Sequence, residues 1–242
     1  MHLPGRVALV TGAGRRLGQA IATGLARAGC DVAVHYHASK EGADETARAV
    51  RGAGRRAELL AADLGDPAAA RALPERAAAA FGRLDILVNG AAVMQRLEFA
   101  AVTPADWNAA LALNLTAAFF TAQGAAPHLR VARGKIVNLA DIAAFEVWPA
   151  YIPLNVTKAG LVMLTQALAR VLAPEVTVNA VAPGAVLPPE DWPDIARAHL
   201  ADTTPLKRLG APEDVVGAIL FLLEQDYLTG VVLPVDGGRL IR

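Results

Sequence analysis

The alternation of short apolar segments with longer helical segments is the feature that most constrains the fold of this chain. Runs of four or five apolar, often β-branched residues recur along the sequence, and most are followed by a stretch with helical character. Strands that are apolar on both faces are typical of a parallel sheet covered by helices on both sides. The pattern therefore predicts an α/β fold, a single-domain doubly wound parallel sheet (a Rossmann fold) of about seven strands with helices on both faces.

The predicted elements follow one another without interruption. Strands are predicted at residues 6–10, 31–35, 57–61, 85–88, 135–139, 176–180 and 231–235. Helices are predicted at residues 16–28, 40–52, 67–81, 104–129 and 153–172 and after residue 212. No linker or internal repeat divides them, so residues 1–242 are predicted to form one domain. Residues 184–204 are the least regular stretch, and they fit either a loop over a site or an ordinary surface excursion.

Composition narrows the class of protein. The 242 residues include 23 Lys or Arg and 23 Asp or Glu, which leaves no net formal charge. A nucleic-acid-binding protein normally has a basic excess, so no nucleic-acid partner is expected. The single cysteine, Cys30, cannot form an internal disulfide, and no paired Cys or His spacing indicates a metal site. No apolar run approaches ~18 residues and no signal-peptide pattern begins the chain, which favours a cytoplasmic protein without a membrane partner.

A glycine-rich segment connects the first predicted strand to the first predicted helix. Residues 11–18 read Thr-Gly-Ala-Gly-Arg-Arg-Leu-Gly. Glycines at this place permit a tight turn and let backbone amides approach a pyrophosphate at the positive end of a helix. The segment therefore predicts a dinucleotide site and a small-molecule substrate. Its predicted cofactor contacts are Gly12, Gly14, Arg15, Arg16, Leu17 and Gly18.

The end of the second predicted strand indicates which dinucleotide is bound. An NAD site normally has an acidic residue here to hold the ribose 2′-hydroxyl, whereas this chain has no carboxylate before Glu41. Arg15 and Arg16 enter from the glycine turn instead, and guanidinium, imidazole and hydroxyl donors suit a 2′-phosphate. NADPH is therefore the predicted cofactor. Further contacts are predicted from His35, Tyr36, His37 and Ser39, although the two histidines and the two arginines also fit a solvated surface.

With these residues identified, the chain resembles the short-chain dehydrogenase/reductase family over essentially its whole length. After the glycine turn, five further family motifs appear in order: Asp63-Leu64, Asn89-Gly90-Ala91-Ala92, Asn114, Pro183-Gly184 and Val235-Asp236-Gly237-Gly238. The resemblance implies an oxidoreductase, and it implies a homotetramer. It also implies cofactor contacts at Asp63, Leu64, Asn89, Gly90, Ala91, Lys158, Pro183 and Gly184.

Within that family, the chain looks most like the pteridine reductases and their bacterial dihydromonapterin- and dihydrofolate-reducing relatives. Arg16 replaces the middle glycine of the family turn, and Asp141 stands where most members carry a catalytic serine. One departure is Met94, at a place where pteridine reductases stack an aromatic residue on the pterin. The substrate contacts implied by the resemblance are Met94, Asp141, Tyr151 and Leu187.

The catalytic tyrosine of the family is missing. Members use a Tyr-x-x-x-Lys pair on the helix after the fifth strand, where the lysine lowers the pKa of the phenol. Here Lys158 is present, but Leu154 occupies the tyrosine position, four residues before it and thirteen after Asp141. Leucine has no proton to donate, so the sequence does not support an ordinary alcohol dehydrogenase or ketoreductase mechanism.

Three hypotheses follow from this loss. In the first, the protein reduces a C=N bond of a dihydropteridine-like or dihydrofolate-like substrate. An imine nitrogen is much more basic than a ketone oxygen, so one carboxyl group, acting directly or through a water, suffices as donor. Asp141 is the predicted donor or relay, with Lys158 and Asn114 completing the catalytic set. Asp141 also fits a structural role, either as a cap on the next segment or as a partner of an arginine.

In the second hypothesis, Tyr151 substitutes for the lost phenol. Seven residues of helix separate it from Lys158, a rise of about 10.5 Å, and Pro153 is better suited to begin a helix than to continue one. In the third, catalysis has been lost and the chain is an NADPH-binding or interaction protein. The first hypothesis is the one on which the predicted site is based.

Overall fold

The computed structural model describes residues 1–188 and 192–241. Seven strands form one sheet: β1 Val7–Val10, β2 Asp31–Tyr36, β3 Ala57–Ala61, β4 Ile86–Asn89, β5 Lys135–Leu139, β6 Thr177–Pro183 and β7 Val232–Val235. Their order is β3-β2-β1-β4-β5-β6-β7, and every neighbouring pair is parallel. The predicted doubly wound parallel sheet is therefore confirmed.

Eight α-helices cover this sheet. They are α1 Arg16–Arg27, α2 Lys40–Gly52, α3 Pro67–Phe81, α4 Pro104–Leu111, α5 Ala117–Ala132, α6 Ile152–Leu172, α7 Asp194–Asp202 and α8 Pro212–Glu224 among the described residues. Apolar side chains of α1, α2 and α8 pack into one core cluster, and those of α3, α5 and α6 pack into a second. Both faces of the sheet are thus buried, which explains why its strands lack an apolar–polar alternation.

Three elements differ from the prediction by more than one residue at an end. The helix predicted at residues 104–129 is divided by a π-helical turn, Ala112–Thr116, that carries Asn114. The stretch predicted to be irregular contains α7, which begins just after Pro193 and has an acidic residue in its first turn, both ordinary start signals. β6 continues three residues beyond its predicted end because residues 180–183 pair with β7. Residues 189–191 of the predicted loop lie outside the described residues.

The helical stretch Pro104–Ala132 has the length and composition of a membrane span, with a mean hydropathy of 1.3 in its most apolar window, although polar residues interrupt its apolar runs. A buried core helix passes the same test, and 44% of that window is buried inside the domain. α5 supplies much of the second core cluster, which accounts for its apolar composition. This feature is therefore weak support for a membrane partner.

Parallel strands bring the predicted site residues to one edge of the sheet. β1 and β4 are neighbours in the sheet although β2 and β3 come between them in sequence, so the direction of winding reverses at this point. In open parallel sheets, ligands bind at the carboxyl ends of the strands at such a reversal. The segments after β1, β4, β5 and β6 all carry predicted site residues, and they therefore converge there.

Candidate active site and cofactor site

The turn after β1 is held against the turn after β4. Thr11 Oγ1 accepts hydrogen bonds from the backbone amides of Gly90 at 2.9 Å and Ala91 at 3.1 Å. Gly12 lies in the left-handed region at φ +69°, and a Cβ there would come within 2.9 Å of Ala91 Cα. Gly12 is thus required both for the backbone conformation and for the close approach of the two turns.

The glycine turn also lets the first helix pack closely. A Cβ on Gly18 would lie 2.1 Å from the carbonyl oxygen of Gly12, and a Cβ on Gly14 would lie 2.8 Å from that of Ser39. α1 therefore begins directly over the turn, with its amino end at the carboxyl edge of the sheet. Exposed backbone amides at the positive end of a helix suit a pyrophosphate, so this cradle fits a dinucleotide.

The two arginines of the turn have different environments. Arg16 is in the left-handed region at φ +52°, a conformation that favours the glycine found there in the family. Its guanidinium donates to the carbonyl oxygen of Leu187, so it holds the segment after β6 rather than the end of β2. Arg15 is exposed at the N-cap of α1 and has no ion pair with the described residues. Leu17 is half-buried and packs against the first core cluster.

The imidazole of His35 lies behind the glycine turn. Gly12 N–H donates to its Nδ1 at 3.0 Å, which places the ring proton on Nε2, 3.2 Å from the carbonyl oxygen of Ala62. His35 is 2% exposed, and burial lowers its pKa from 6.5 to about 4. A neutral ring with both nitrogens engaged supports the turn, so the predicted direct contact with a 2′-phosphate is not favoured by its position.

We expect the buried His35 to make the free energy of unfolding depend on pH. Its folded pKa is depressed, so the unfolded chain binds a proton first as the pH falls, and stability is lost between about pH 6.5 and 4. The loss amounts to about 3 kcal/mol between pH 7 and pH 4. Urea unfolding of the wild type, His35→Asn and the exposed-site control His37→Asn measures it. Only His35→Asn should lose this part of the pH dependence, and an unchanged profile in that variant would contradict the assignment.

The remaining predicted cofactor contacts lie at and just after the ends of β2 and β3. His37 is exposed, whereas Tyr36 and Ser39 are half-buried, with Ser39 immediately before α2. Asp63 is exposed, and its Oδ1 accepts from the backbone amide of Gly65 at 2.9 Å, while Leu64 is buried. Arg15, His37 and Ser39 thus remain available as donors toward a ligand at this end of the sheet.

A buried polar network lies beneath the centre of the site. Asn89 Nδ2 donates to Asn138 Oδ1 at 2.9 Å, and Asn89 Oδ1 accepts from Thr121 Oγ1 at 2.7 Å. Asn138 Nδ2 donates in turn to Thr165 Oγ1 at 2.9 Å. The network connects β4 and β5 to α5 and α6, so Asn89 fixes the strand ends through its side chain. Its other three members were not predicted, because their only signal in the sequence is a polar residue within an apolar segment.

Asn114 connects the π-helical turn to the turn after β4. Its Oδ1 accepts from Val93 N at 2.8 Å and its Nδ2 donates to Val93 O at 3.0 Å. The same Nδ2 lies 3.1 Å from Thr157 Oγ1, next to Lys158 on α6. The amide of Asn114 is therefore engaged within the protein and holds the chain near the lysine.

Leu154 and Lys158 lie on the same buried face of α6. Their exposed fractions are 4% and 5%. Lys158 Nζ donates to the carbonyl oxygen of Leu139, at the end of β5, at 2.6 Å. Burial lowers the pKa of Lys158 to about 8, although the charge of Asp141 opposes this shift. The lysine therefore occupies the expected place, and no hydroxyl precedes it by one helical turn.

Asp141 is half-buried just after β5. Its Oδ1 accepts from the backbone amide of Ala143 at 2.8 Å and caps the short 3₁₀ helix Ile142–Ala144. Its Oδ2 accepts no hydrogen bond from the described part of the chain. Burial raises its pKa, an effect partly offset by the Ala143 amide and by Lys158. The predicted capping role is confirmed, and it leaves one carboxyl oxygen able to carry a proton.

Tyr151 lies outside the helix that carries Lys158. It ends a 3₁₀ turn, Pro149–Tyr151, and α6 begins at Ile152, as Pro153 in the first turn predicted. The two side chains therefore do not share a continuous helical face, which removes the geometric basis for substitution by Tyr151. Its ring packs edge-on against Trp148 with centroids 5.8 Å apart.

The outer edge of the site is open. Met94 is 52% exposed in the segment after β4. This segment is joined to the one before α6 by a hydrogen bond from Leu97 N to Ala150 O at 2.8 Å. Pro183 ends β6, and a Cβ on Gly184 would lie 2.8 Å from Asp236 Cα, so the segment after β7 closes this side.

Comparison with known proteins identifies the family. Residues 12–239 match the family model described as enoyl-(acyl carrier protein) reductase. A solved structure, the short-chain dehydrogenase/reductase from Serratia marcescens BCRC 10948, has 34% sequence identity and a TM-score of 0.92, covering 99% of each chain. The chain belongs to the short-chain dehydrogenase/reductase family.

Two other members of the short-chain dehydrogenase/reductase family bear on its chemistry. "Granaticin polyketide synthase putative ketoacyl reductase 2" of Streptomyces violaceoruber is 40% identical over 240 residues, which are 96% of this chain and 95% of the relative. A gluconate 5-dehydrogenase from Burkholderia cenocepacia J2315, solved in complex with NADP and tartrate, has 32% identity and a TM-score of 0.90, covering 98% and 95% of the two chains. These similarities support an oxidoreductase, and they do not single out pteridine reductases.

Proposed function

We propose that this protein is an NADPH-dependent reductase of a C=N bond in a dihydropteridine, a dihydrofolate or a similar cyclic imine. The observation that carries the proposal is the carboxyl group of Asp141, which is half-buried with a raised pKa at the end of β5. Leu154 removes the phenol of the family, so an acceptor that is itself easily protonated is the class of substrate that this site suits.

Each residue of the site has a proposed task. NADPH, when bound, supplies the hydride to the carbon of the C=N bond. Asp141 holds the proton that the imine nitrogen receives, directly or through one water, and it is reprotonated from solvent. Lys158 holds the ribose, and Asn114 keeps the segment after β4 close to α6. The carbon thus gains a hydride and the nitrogen gains a proton, so the balance needs no further reactant.

The proposed preference for NADPH rests on Arg15. This residue is exposed at the N-cap of α1, and the segment after β2, which contains His37 and Ser39, lacks the usual carboxylate. Hydrogen bonds to charged groups contribute about 1.5–3 kcal/mol, so Arg15→Ala should weaken NADPH binding by about 10- to 100-fold. The affinity for NADH should not change, because NADH lacks the 2′-phosphate. Fluorescence titration with both nucleotides measures this, and equal losses for both would contradict the assignment.

A matched pair of substrates tests the proposed reaction. Purified protein should oxidise NADPH in the presence of dihydrobiopterin or dihydrofolate, followed by absorbance. A panel of ketones, including 3-ketoacyl thioesters and keto sugar acids, should give no turnover. The ketone panel matters because the ketoacyl reductase and the gluconate dehydrogenase are among the relatives. Rapid ketone reduction by the wild type would show that another group serves as proton donor in place of the missing phenol, and it would contradict the proposal.

A second candidate function is nucleotide binding without catalysis. The observation that favours it is Leu154, a buried apolar side chain at the position of the family acid. NADPH binding without turnover of any imine would support this alternative. The homotetramer implied by the resemblance and the cytoplasmic location expected from the sequence pattern also stay predictions, which light scattering and cell fractionation can test.

A further inference from the structure

We infer that Asn155 is a positioning residue for Asp141, an inference that rests on the proposed role of Asp141 as proton donor. Asn155 lies in the first turn of α6, beside Leu154. It joins the helix that carries Lys158 to the segment that carries the carboxyl group. Asn155 belongs to none of the family motifs identified in the sequence.

The side-chain amide of Asn155 makes two hydrogen bonds to one segment. Its Nδ2 donates to the carbonyl oxygen of Ala143 at 2.7 Å and to that of Glu146 at 2.9 Å. Both carbonyl groups belong to the stretch that directly follows Asp141. The amide therefore holds this stretch onto the beginning of α6.

Ala143 transmits this contact to the carboxyl group. Its N–H donates to Asp141 Oδ1 at 2.8 Å, while its carbonyl oxygen accepts from Asn155. Asp141 thus binds the backbone N–H of Ala143, and Asn155 binds its backbone carbonyl group. Lys158 is three residues after Asn155, close to one helical turn, so α6 positions the lysine and, through Ala143, the carboxyl group.

The carbonyl oxygen of the Asn155 side chain is buried at a cost in free energy. Oδ1 of Asn155 is buried and accepts no hydrogen bond within residues 1–188 and 192–241. A buried acceptor without a donor is unfavourable, and a small apolar residue would avoid that cost. An amide at this position is therefore favoured for the two hydrogen bonds that its Nδ2 donates, rather than for its oxygen.

Hydrogen exchange tests the contact independently of catalysis. In Asn155→Ala, the amide of Ala143 should lose protection from exchange, as it should in Asp141→Ala. Val156→Ala is the matched control, because Val156 is the next residue on the helix and is 44% exposed. Retained protection in Asn155→Ala would overturn the inference, whether or not the wild type turns over an imine.

The pH dependence of turnover separates positioning from a merely structural role. Asn155→Ala should lower kcat by about 10²-fold with an unchanged affinity for NADPH, because the donor is displaced. A loosened segment exposes the carboxyl group to water, so the activity that needs its protonated form should be lost at a lower pH than in the wild type. Lys158 is the charged group whose field acts on Asp141, and it is unchanged in this variant.

A purely structural loss would lower activity without moving the pH profile, and that result would overturn the inference. Asn155→Ser keeps one donor and removes the buried carbonyl group, so it should be intermediate in both measurements, and it serves if the alanine variant does not fold. If the wild type reduces no imine, the proposed function fails, and the exchange experiment alone then decides whether Asn155 holds the segment.

Discussion

Asp141→Asn is expected to lower kcat for imine reduction by about 10²–10⁴-fold while leaving NADPH binding unchanged. The substituted amide retains an oxygen that can accept from Ala143 N–H, so the cap on residues 142–144 should survive. What is lost is the acidic proton. Stopped-flow measurement of NADPH oxidation in a single turnover isolates this step from product release.

Asp66 offers a matched control for that experiment. Its Oδ1 accepts from the backbone amide two residues later, Ala68, at 2.9 Å, which is the same local contact that Asp141 makes. Asp66→Asn should therefore change stability slightly and turnover not at all. Equal activity of wild type and Asp141→Asn would rule out Asp141 as the donor, and loss of NADPH binding in the variant would indicate a structural effect instead.

Leu154→Tyr is the substitution with the largest expected gain. It places a phenol one helical turn before Lys158 on the same buried face of α6, and the nearby cation lowers the pKa of the phenol. Ketone reduction should rise from background by about 10²-fold or more, the usual contribution of a general acid. The larger ring should also destabilise the fold by about 1–3 kcal/mol through overpacking.

Leu154→Phe separates the ring from its hydroxyl group. Phenylalanine adds nearly the same volume as tyrosine but has no acidic proton. Leu154→Phe should therefore lose stability as Leu154→Tyr does and show no ketone reduction. A gain of activity in the phenylalanine variant would mean that shape, rather than the acid, limits the wild type. Absence of any gain in Leu154→Tyr, with NADPH still bound, would mean that more than the phenol has been lost.

Much of the fold was predictable because its signals are local. The buried strands are short apolar runs bounded by polar or turn residues, and α2, α3, β3 and β5 have the predicted bounds. The glycine turn was predictable as well, since its position between a strand and a helix is visible in the sequence. The pairing of Leu154 with Lys158 followed from the Tyr-x-x-x-Lys motif of the family that the chain resembles, and helical spacing places both side chains on one face.

The contacts that the sequence did not reveal are those between distant segments. Arg16 was predicted to face a 2′-phosphate, but its side chain extends to Leu187 across the site. His35 was predicted to face the ligand, but the alternation of strand β2 turns it inward toward Gly12. Asn155 has no periodic signal at all, because its role depends on a loop that folds back onto the helix.

The role of Asp141 as proton donor is tested most directly by a crystal structure of the protein with NADP⁺ and dihydrofolate, in which the distance from Asp141 Oδ2 to the nitrogen of the reacting C=N bond is measured. We expect direct contact at about 2.6–3.2 Å or a single bridging water. A carboxyl group turned away from that nitrogen, or the hydroxyl of Tyr151 in its place, would rule out this role.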